Sequence, residues 1–321
     1  MKLRQLDALR AVAEAGSLHE AARRLFLTQP AISRSIRELE VELGLPLLTR
    51  SARGATLTPY ALAVLKRAQV VQREVGRIVE DALTARGELS GQLTIAVTPP
   101  ATTRALAECL SEIVASRPDV KLQVIEWRAE NIADGLRDGT IDVGIFTQYG
   151  EPTSPAFEWT LLYELETVLS ISGRYQGPEQ LSVEQIHALP WLVLDSPTAA
   201  TSFAATFFKK HDMALPERMT RCSSMNLYLD LAIRMEAVAI WTSLAAPLLD
   251  QCVADGSLKF LHLAEPIPRV GMYLAYSSED LLTSTARQFV TRLRTKLDLP
   301  GGQGRTPAGS PLVQEKIGLT R

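Results

Sequence analysis

The sequence predicts three parts: a small all-helical unit closed by a β-hairpin, one long helix, and a larger two-lobed α/β unit. Three observations carry this. Apolar residues recur at helical spacing through residues 3–43, an unbroken apolar seam runs from Ala61 to Ala82, and beyond Gly91 β-branched strands alternate with helices. A length of 321 residues suits two or three domains rather than one core. Hydrophobic residues at 46% and charged residues at 22% are ordinary for a globular protein.

Charge is distributed unevenly. Up to Ser90 there are 14 Lys and Arg against 10 Asp and Glu, a net +4, whereas the remainder carries 20 against 26, a net −6. A basic head on an acidic body fits a polyanionic partner at one end of the chain. Lys2, Arg4, Asp7, Arg10 and Glu14 interrupt the first leucines, so no signal peptide is expected, and no uninterrupted apolar run reaches about 18 residues. A cytoplasmic protein without membrane contact is the expectation. Cys109, Cys222 and Cys252 lack metal or redox spacing and read as reduced, mostly buried thiols.

Leu3, Leu6, Leu9, Val12 and Ala13 form a first helix that Gly16 ends. Ser17-Leu18-His19-Glu20 has the form of a capping box, with the Ser17 hydroxyl accepting from the Glu20 amide and the Glu20 carboxylate accepting from the Ser17 amide. It opens a second helix that runs to about Leu25. Beyond the Phe26-Leu27 link, Thr28 caps a third helix and Pro30 suits its first turn. Ile32, Ile36, Leu39 and Leu43 make its buried stripe, and Gly44 with Pro46 ends it. Two short helices joined by a tight link form a helix-turn-helix, whose second helix enters the DNA major groove by its N-terminal end. Gln29, Ser33, Arg34 and Arg37 then face outward, with Thr28 and Pro30 at the entry. Gln bonds an adenine edge, Arg a guanine edge or a phosphate, and Ser either. Leu47 to Thr58 reads as a hairpin bearing Arg50 and Arg53 and no acids, a wing suited to phosphate or minor-groove contact.

The run SLHEAARRLFLTQPAISRSIRELEVELGLPLLTRSARGATLTPYA, Ser17 to Ala61, resembles the signature segment of LysR-type transcriptional regulators. Shared landmarks are Ala21-Ala22, Thr28 through Ser33, Leu39-Glu40, Gly44 and Leu57-Thr58, with a departure at Pro59-Tyr60. The resemblance implies a winged helix-turn-helix DNA-binding domain over residues 1–58. Its partners would be double-stranded DNA at an interrupted palindrome and RNA polymerase.

Residues 59–87 read as a linker helix. Ala61, Val64, Ala68, Val71, Val75, Ile78 and Ala82 form a strict heptad, the seam of a coiled coil. A homodimer follows from the pattern, and the resemblance implies a dimer of dimers, a homotetramer.

Residues 88–299 read as the ligand-sensing part, with a mainly parallel sheet in each of two lobes. Lobe I spans about 92–163 and 268–299, and lobe II about 164–267. The resemblance continues through Arg117-Pro118-Asp119-Val120, Leu136 to Asp142 and Gly256-Ser257-Leu258, and implies a periplasmic-binding-protein-like fold with its effector between the lobes. Independently, open α/β sheets bind ligands beyond the carboxyl ends of their strands, where helix N-termini offer amides to anions. Thr98, Thr102, Thr103, Arg128, Thr201 and Ser202 are the candidate polar contacts. Pro99 stands in the first loop, and Trp127, Phe146 and Phe203 are candidate apolar walls. The expected ligand is a small anionic effector such as an aromatic carboxylate or sulfonate, with no cofactor and no metal. Residues 234–241 lack the Gly-Leu-Gly turn common in the family, and the Gly/Pro-rich residues 300–321 read as a flexible tail.

An enzyme is not expected. The sequence has no GxSxG elbow, P-loop, HExxH, or GxGxxG after its first strand, and its four histidines are scattered. A ligand-free architectural DNA binder would leave the two-lobed part unexplained. Arg34→Ala should relax sequence preference, whereas Arg53→Ala should weaken all sequences alike and flatten the salt dependence. Fluorescence anisotropy on cognate and scrambled duplexes separates the two effects, and equal losses on both duplexes from both variants would remove the base-reading role of Arg34.

Overall fold

The computed structural model describes residues 1–51, 54–87 and 91–297. They fall into two compact units, one built on Met1–Arg86 and one on the residues from Gly87 onward. No described helix is long and apolar enough to cross a membrane.

The first unit contains α1 (Leu3–Ala15), α2 (Leu18–Arg24), α3 (Gln29–Leu43), the hairpin β1 (Leu48–Ser51) and β2 (Gly54–Leu57), and α4 (Pro59–Ala85). Leu6, Leu9, Val12, Ile32, Ile36 and Leu39 share one buried core around the close-packed Ala21-Ala22 pair. Burying a Leu or Ile contributes roughly 1.5–3 kcal/mol, so this stripe outweighs any cap. Gly16 and Gly44 end α1 and α3 at φ +69° and +70°, a conformation glycine adopts without a Cβ penalty. The Ser17 hydroxyl accepts from the Glu20 amide as expected, but the second half of the capping box does not form. The Glu20 carboxylate instead accepts from Arg23 at 2.7 Å and Arg24 at 3.4 Å, because charged donors one turn on outcompete a neutral amide. The Leu39-Glu40 pair has a physical reason: Leu39 is buried, and the Glu40 carboxylate accepts from the amides of Leu47 and Leu48, tying α3 to the wing.

The expected seam of α4 divides into two. Ala61 and Ala68 pack, with Leu65, into the core of their own unit, while Val71, Val75 and Ile78 are exposed, as are Leu62 and Val79 outside the heptad. Spacing by three and four marks an apolar face but does not distinguish a partner in the same chain from one in another.

The second unit runs β3 (Gly91–Val97), α5 (Arg104–Ser116), β4 (Val120–Glu126), α6 (Ala129–Arg137), β5 (Val143–Gln148), β6 (Glu158–Leu165), β7 (Thr167–Ser172), β8 (Gln180–Leu181), α7 (Val183–His187), β9 (Trp191–Val193), α8 (Phe203–Lys210), β10 (Met219–Arg221), α9 (Met225–Arg234), β11 (Val238–Thr242), α10 (Ala246–Ala254), β12 (Leu258–Leu263), β13 (Val270–Tyr276) and α11 (Ser284–Lys296). Two sheets form, in the orders β4-β3-β5-β13-β6 and β10-β9-β11-β7-β12-β8. Both are mainly parallel, as expected, with one reversed strand in each, β13 in the first sheet and β7 in the second. β13 runs antiparallel to β5 and β6, and β7 runs antiparallel to β11 and β12. The chain crosses from the first sheet to the second and back, and each returning strand enters against its neighbours.

Helices α5 and α11 cover one face of the first sheet, burying Leu106, Cys109 and Ile113 with Phe289, Val290 and Leu293. Arg117, buried at the end of α5, donates to the Thr285 and Ser284 hydroxyls in the first turn of α11. In the second lobe Trp191, Phe203, Phe207 and Phe208 form a ring cluster with centroids 5.1–5.9 Å apart. The glycine-free turn after α9 is closed differently from the family pattern: the Ser172 hydroxyl donates to the Ile233 carbonyl at 2.6 Å, and the Met235 amide to Leu231 at 2.7 Å. All three cysteines are buried and free.

β9 and β11 pair in parallel at only two positions, Trp191 with Val238 and Leu192 with Ala239. There the hydroxyl of the fully buried Tyr228 enters, donating to the Leu192 carbonyl and accepting from the Ile240 amide, both at 2.8 Å. Tyr228→Phe strands two buried backbone groups, each costing about 1–3 kcal/mol when unsatisfied. A loss of about 2–4 kcal/mol in chemical denaturation is expected, and a loss under 0.5 kcal/mol would show that water replaces the hydroxyl.

Candidate nucleic-acid interface and ligand cleft

The outer face of α3 presents Gln29, Pro30, Arg34 and Arg37 to solvent, with Ser33 half-buried between them. Thr28 is exposed, and its hydroxyl caps the helix by accepting from the Ala31 amide at 3.4 Å. Pro30, Ser33, Arg34, Arg37, Glu38 and Val41 line a shallow groove along this face. The Arg34 guanidinium, 83% exposed, reaches one turn on to Glu38 at 3.0 Å. That contact, with a further bond from Gln5, holds the Glu38 carboxyl below the usual carboxylate range. Among the described residues Arg37 has no ion-pair or hydrogen-bond partner. Arg50 stands in β1 opposite Ala55, and Arg53 lies outside the described residues. Phe26, read from sequence as a simple link, is 96% exposed at φ +55°.

Between the two sheets of the second unit lies a cavity of about 500 Å³. Its walls include Pro99, Thr102, Glu126, Thr147 and Tyr149 from one lobe and Asp195, Ser202, Phe203, Asn226 and Trp241 from the other. Ser202 caps α8 by accepting from Ala205 at 3.1 Å and donates to the Pro197 carbonyl at 3.0 Å. A smaller neighbouring pocket of about 270 Å³ gathers Thr98, Pro99, Trp127 and Arg128 around Glu126 and Asp195. A third space, of about 690 Å³, takes Phe146, Thr201 and Ser202, together with Arg137, Lys209 and Lys210. The expected ligand residues therefore do not form one site. Thr103 lines none of the three: its hydroxyl caps α5 at the Leu106 amide and meets the buried Tyr163. A hydroxyl before a helix serves the helix first.

Sequence reasoning missed Glu126, Tyr149, Asp195 and Trp241. Their signal was the rule already in use, since Glu126, Tyr149 and Asp195 stand at or just past the carboxyl ends of β4, β5 and β9. Asp195 keeps solvent access at the mouth of the cleft but is crowded by protein; burial pushes its carboxyl pKa up, Glu130 adds to the rise, and Arg128 opposes it. The lobes are also joined by an ion pair at 2.7 Å between Glu130 on α6 and Arg221 on β10.

Two family descriptions match the chain: "Bacterial regulatory helix-turn-helix protein, lysR family" over residues 3–62 and "LysR substrate binding domain" over residues 86–298. This chain belongs to the LysR family. LysR-type regulators combine a DNA-binding helix-turn-helix with an effector-binding domain, and both are present here. Among its relatives are the transcriptional regulator TcbR of Pseudomonas sp. (strain P51), 33% identical over 55% of this chain and 60% of TcbR, and the probable regulator LrrA of Synechococcus elongatus, 30% identical over 63% of this chain and 68% of LrrA. The LysR family regulator CbnR superposes over 92% of this chain and 99% of its own at a TM-score of 0.60 and 25% identity, and CbnR has been seen bound to its target DNA. ArgP of Mycobacterium tuberculosis shares the fold at a TM-score of 0.63 and 20% identity, over 93% of this chain and 98% of its own.

The Glu38 carboxylate holds the Arg34 guanidinium, so a DNA contact by Arg34 would require this ion pair to open. Glu38→Gln should raise affinity by up to about fivefold at low salt, more for the cognate than for a scrambled duplex if Arg34 reads a base, since an exposed pair holds about 0–1 kcal/mol. Anisotropy titrations at two salt concentrations check this, and unchanged affinity at low salt would mean that Arg34 does not leave Glu38 to bind.

Proposed function

We propose that the chain regulates transcription by sequence-specific binding to an interrupted palindrome, and that a small-molecule effector in the 500 Å³ cavity modulates this binding. The supporting observation is that the cavity takes its walls from both lobes. An occupant therefore interacts differently with open and closed lobe arrangements, which is the requirement for ligand-controlled output. On this reading Gln29, Ser33, Arg34 and Arg37 read base edges and phosphates, and the wing supports them through Arg50 and Arg53. Thr102, Ser202 and Phe203 contact the effector. The anionic effector expected from the sequence finds basic side chains at Arg128 in the small pocket and at Arg137, Lys209 and Lys210 in the third space, but none on the central cavity wall.

The exposed stripe of α4, with Ile78 at 68% and Val79 at 55% exposure, is the dimerisation surface, and the dimer pairs again to a tetramer. A cytoplasmic location and contact with RNA polymerase complete the proposal. Titrating the purified chain onto the duplex upstream of its own gene, against a scrambled duplex across a salt series, tests it. Preferential, salt-sensitive binding supports a sequence-specific regulator, and no binding at low salt overturns it. Ile78→Glu should yield monomers in sedimentation equilibrium and weaken operator binding at least tenfold, because one reader then grips one half-site. A dimer retained in that variant would place the interface elsewhere.

A further inference from the structure

The charged side chains on the central cavity wall are Glu126, at the end of β4, and Asp195, just past β9; no Lys, Arg or His lines it. Among the described residues neither carboxylate has a hydrogen-bond or ion-pair partner. Glu130 is engaged by Arg221, and Arg128 stands on the wall of the neighbouring pocket. At Asp195 burial raises the carboxyl pKa, the like charge of Glu130 adds to the rise and Arg128 opposes it. The N-termini of α8 and α9 reach the cavity at Ser202-Phe203 and Met225-Asn226. The N-terminus of α10 reaches it at Ala245; each helix end counts as about half a positive charge, so the three together still do not offset both carboxylates. The remaining surface includes the aromatic side chains Tyr149, Phe203 and Trp241, which suit an apolar ligand body.

An anion entering this space would lose its hydration and meet two unpaired carboxylates. A cation supplies the charge the site lacks. Resting on the reading of this cavity as the effector site, we propose that its ligand carries an ammonium group on an aromatic or aliphatic body, and that Asp195 selects for that group.

Isothermal titration calorimetry of the full chain with benzylammonium and phenethylammonium, against benzoate, phenylacetate and benzyl alcohol, tests this. The ammonium probes should bind at least about tenfold more tightly than the carboxylates. Asp195→Asn should remove about tenfold or more of that affinity while leaving benzyl alcohol unchanged, as for loss of a charged hydrogen bond. Glu126→Gln, at an exposed strand end, should act in the same direction and serves if the Asp195 variant does not fold. Carboxylates binding as tightly as amines, no ammonium probe binding at millimolar concentration, or affinities unchanged in both variants would each overturn the proposal. Ala245→Trp, which fills the cavity, separates the two levels. Carboxylate binding abolished by this substitution overturns only the ammonium assignment, whereas probe binding that survives it removes the cavity as the effector site.

A separate observation concerns Phe26. A large aromatic side chain in water, at a positive φ that asparagine or glycine adopts more readily, is unfavourable for the isolated reader. Such strain points to a use. Phe26 lies two residues before Thr28, beside the exposed groove-facing end of α3, and the structure assigns it an apolar contact with a thymine methyl in the major groove. Phe26→Asn should raise the thermal midpoint of the reader while weakening operator binding severalfold. Replacing thymines by uracil one at a time should cost the wild type affinity at one position and cost the variant nothing there. Wild-type operator affinity in the variant, or identical uracil scans in both proteins, would overturn this role.

Discussion

The Thr167 hydroxyl fixes how the two lobes meet. Glu166 alone separates β6 in one sheet from β7 in the other, and the return crossing passes through Pro268. Thr167 Oγ1 donates to the Pro268 carbonyl at 2.7 Å and lies 2.9 Å from the Tyr149 hydroxyl. With its one proton committed to Pro268, Thr167 can only accept from Tyr149. Tyr149 in turn donates its amide to the Thr201 carbonyl, in the loop that leads to α8. One chain of bonds therefore joins both crossings, a cavity wall and the entry to the main helix of the second lobe. Under the proposed effector reading, a ligand touching Tyr149 would act directly on this junction, since hinges are typically a few element-terminal residues.

The cavity exists because a sheet is left incomplete. Had β9 and β11 continued pairing beyond Leu192 and Ala239, Val193 and Ile240 would stand in a closed ladder. Tyr228 holds the strands apart at that point and satisfies the backbone groups that separation would orphan. Val193, Ile240 and Trp241 keep their pairing to the other neighbour, β10 or β7, and also line the cavity. Trp241 is fixed from both sides, by its Nε1 donating to Ser170 at 2.8 Å and by the Tyr228 ring 5.0 Å away. A preformed wall spares the ligand the cost of ordering it.

The reader was legible in sequence because its determinants are local. Ser17, Thr28, Gly16 and Gly44 act within one turn, and the Ile32-Ile36-Leu39 stripe has one helical period. The failures there are competitions that spacing does not show: Glu20 choosing Arg23 over a backbone amide, and Ala61 and Ala68 turning inward while Ile78 faces out. In the two-lobed part the buried strands β3, β5, β7 and β13 were legible as apolar runs and the mainly parallel direction was expected, but the reversal of β7 and β13 was not, because it is set by the two crossings between the sheets. β6, whose Glu158-Trp159-Thr160 start is partly exposed, gave no such run. The ligand residues were the least legible. Hydroxyls before helices look alike in sequence, and only the fold shows that Ser202 reaches the cavity while Thr103 is consumed by its own helix and Tyr163.

Energetic magnitudes assign control of the lobes to the occupant. The Glu130–Arg221 pair is the visible clasp across the cleft, but both side chains are about 40% exposed, and such a pair contributes at most about 1 kcal/mol, roughly a fivefold bias. A clasp that weak leaves both lobe arrangements accessible. A ligand contact with charged hydrogen bonding, made in only one arrangement, is worth about 1.5–3 kcal/mol and shifts their ratio by about ten- to a hundredfold. Such a contact outweighs the clasp in either direction, so under the proposed effector reading the chemistry of the cavity wall, and of Asp195 above all, would decide which molecules move the lobes.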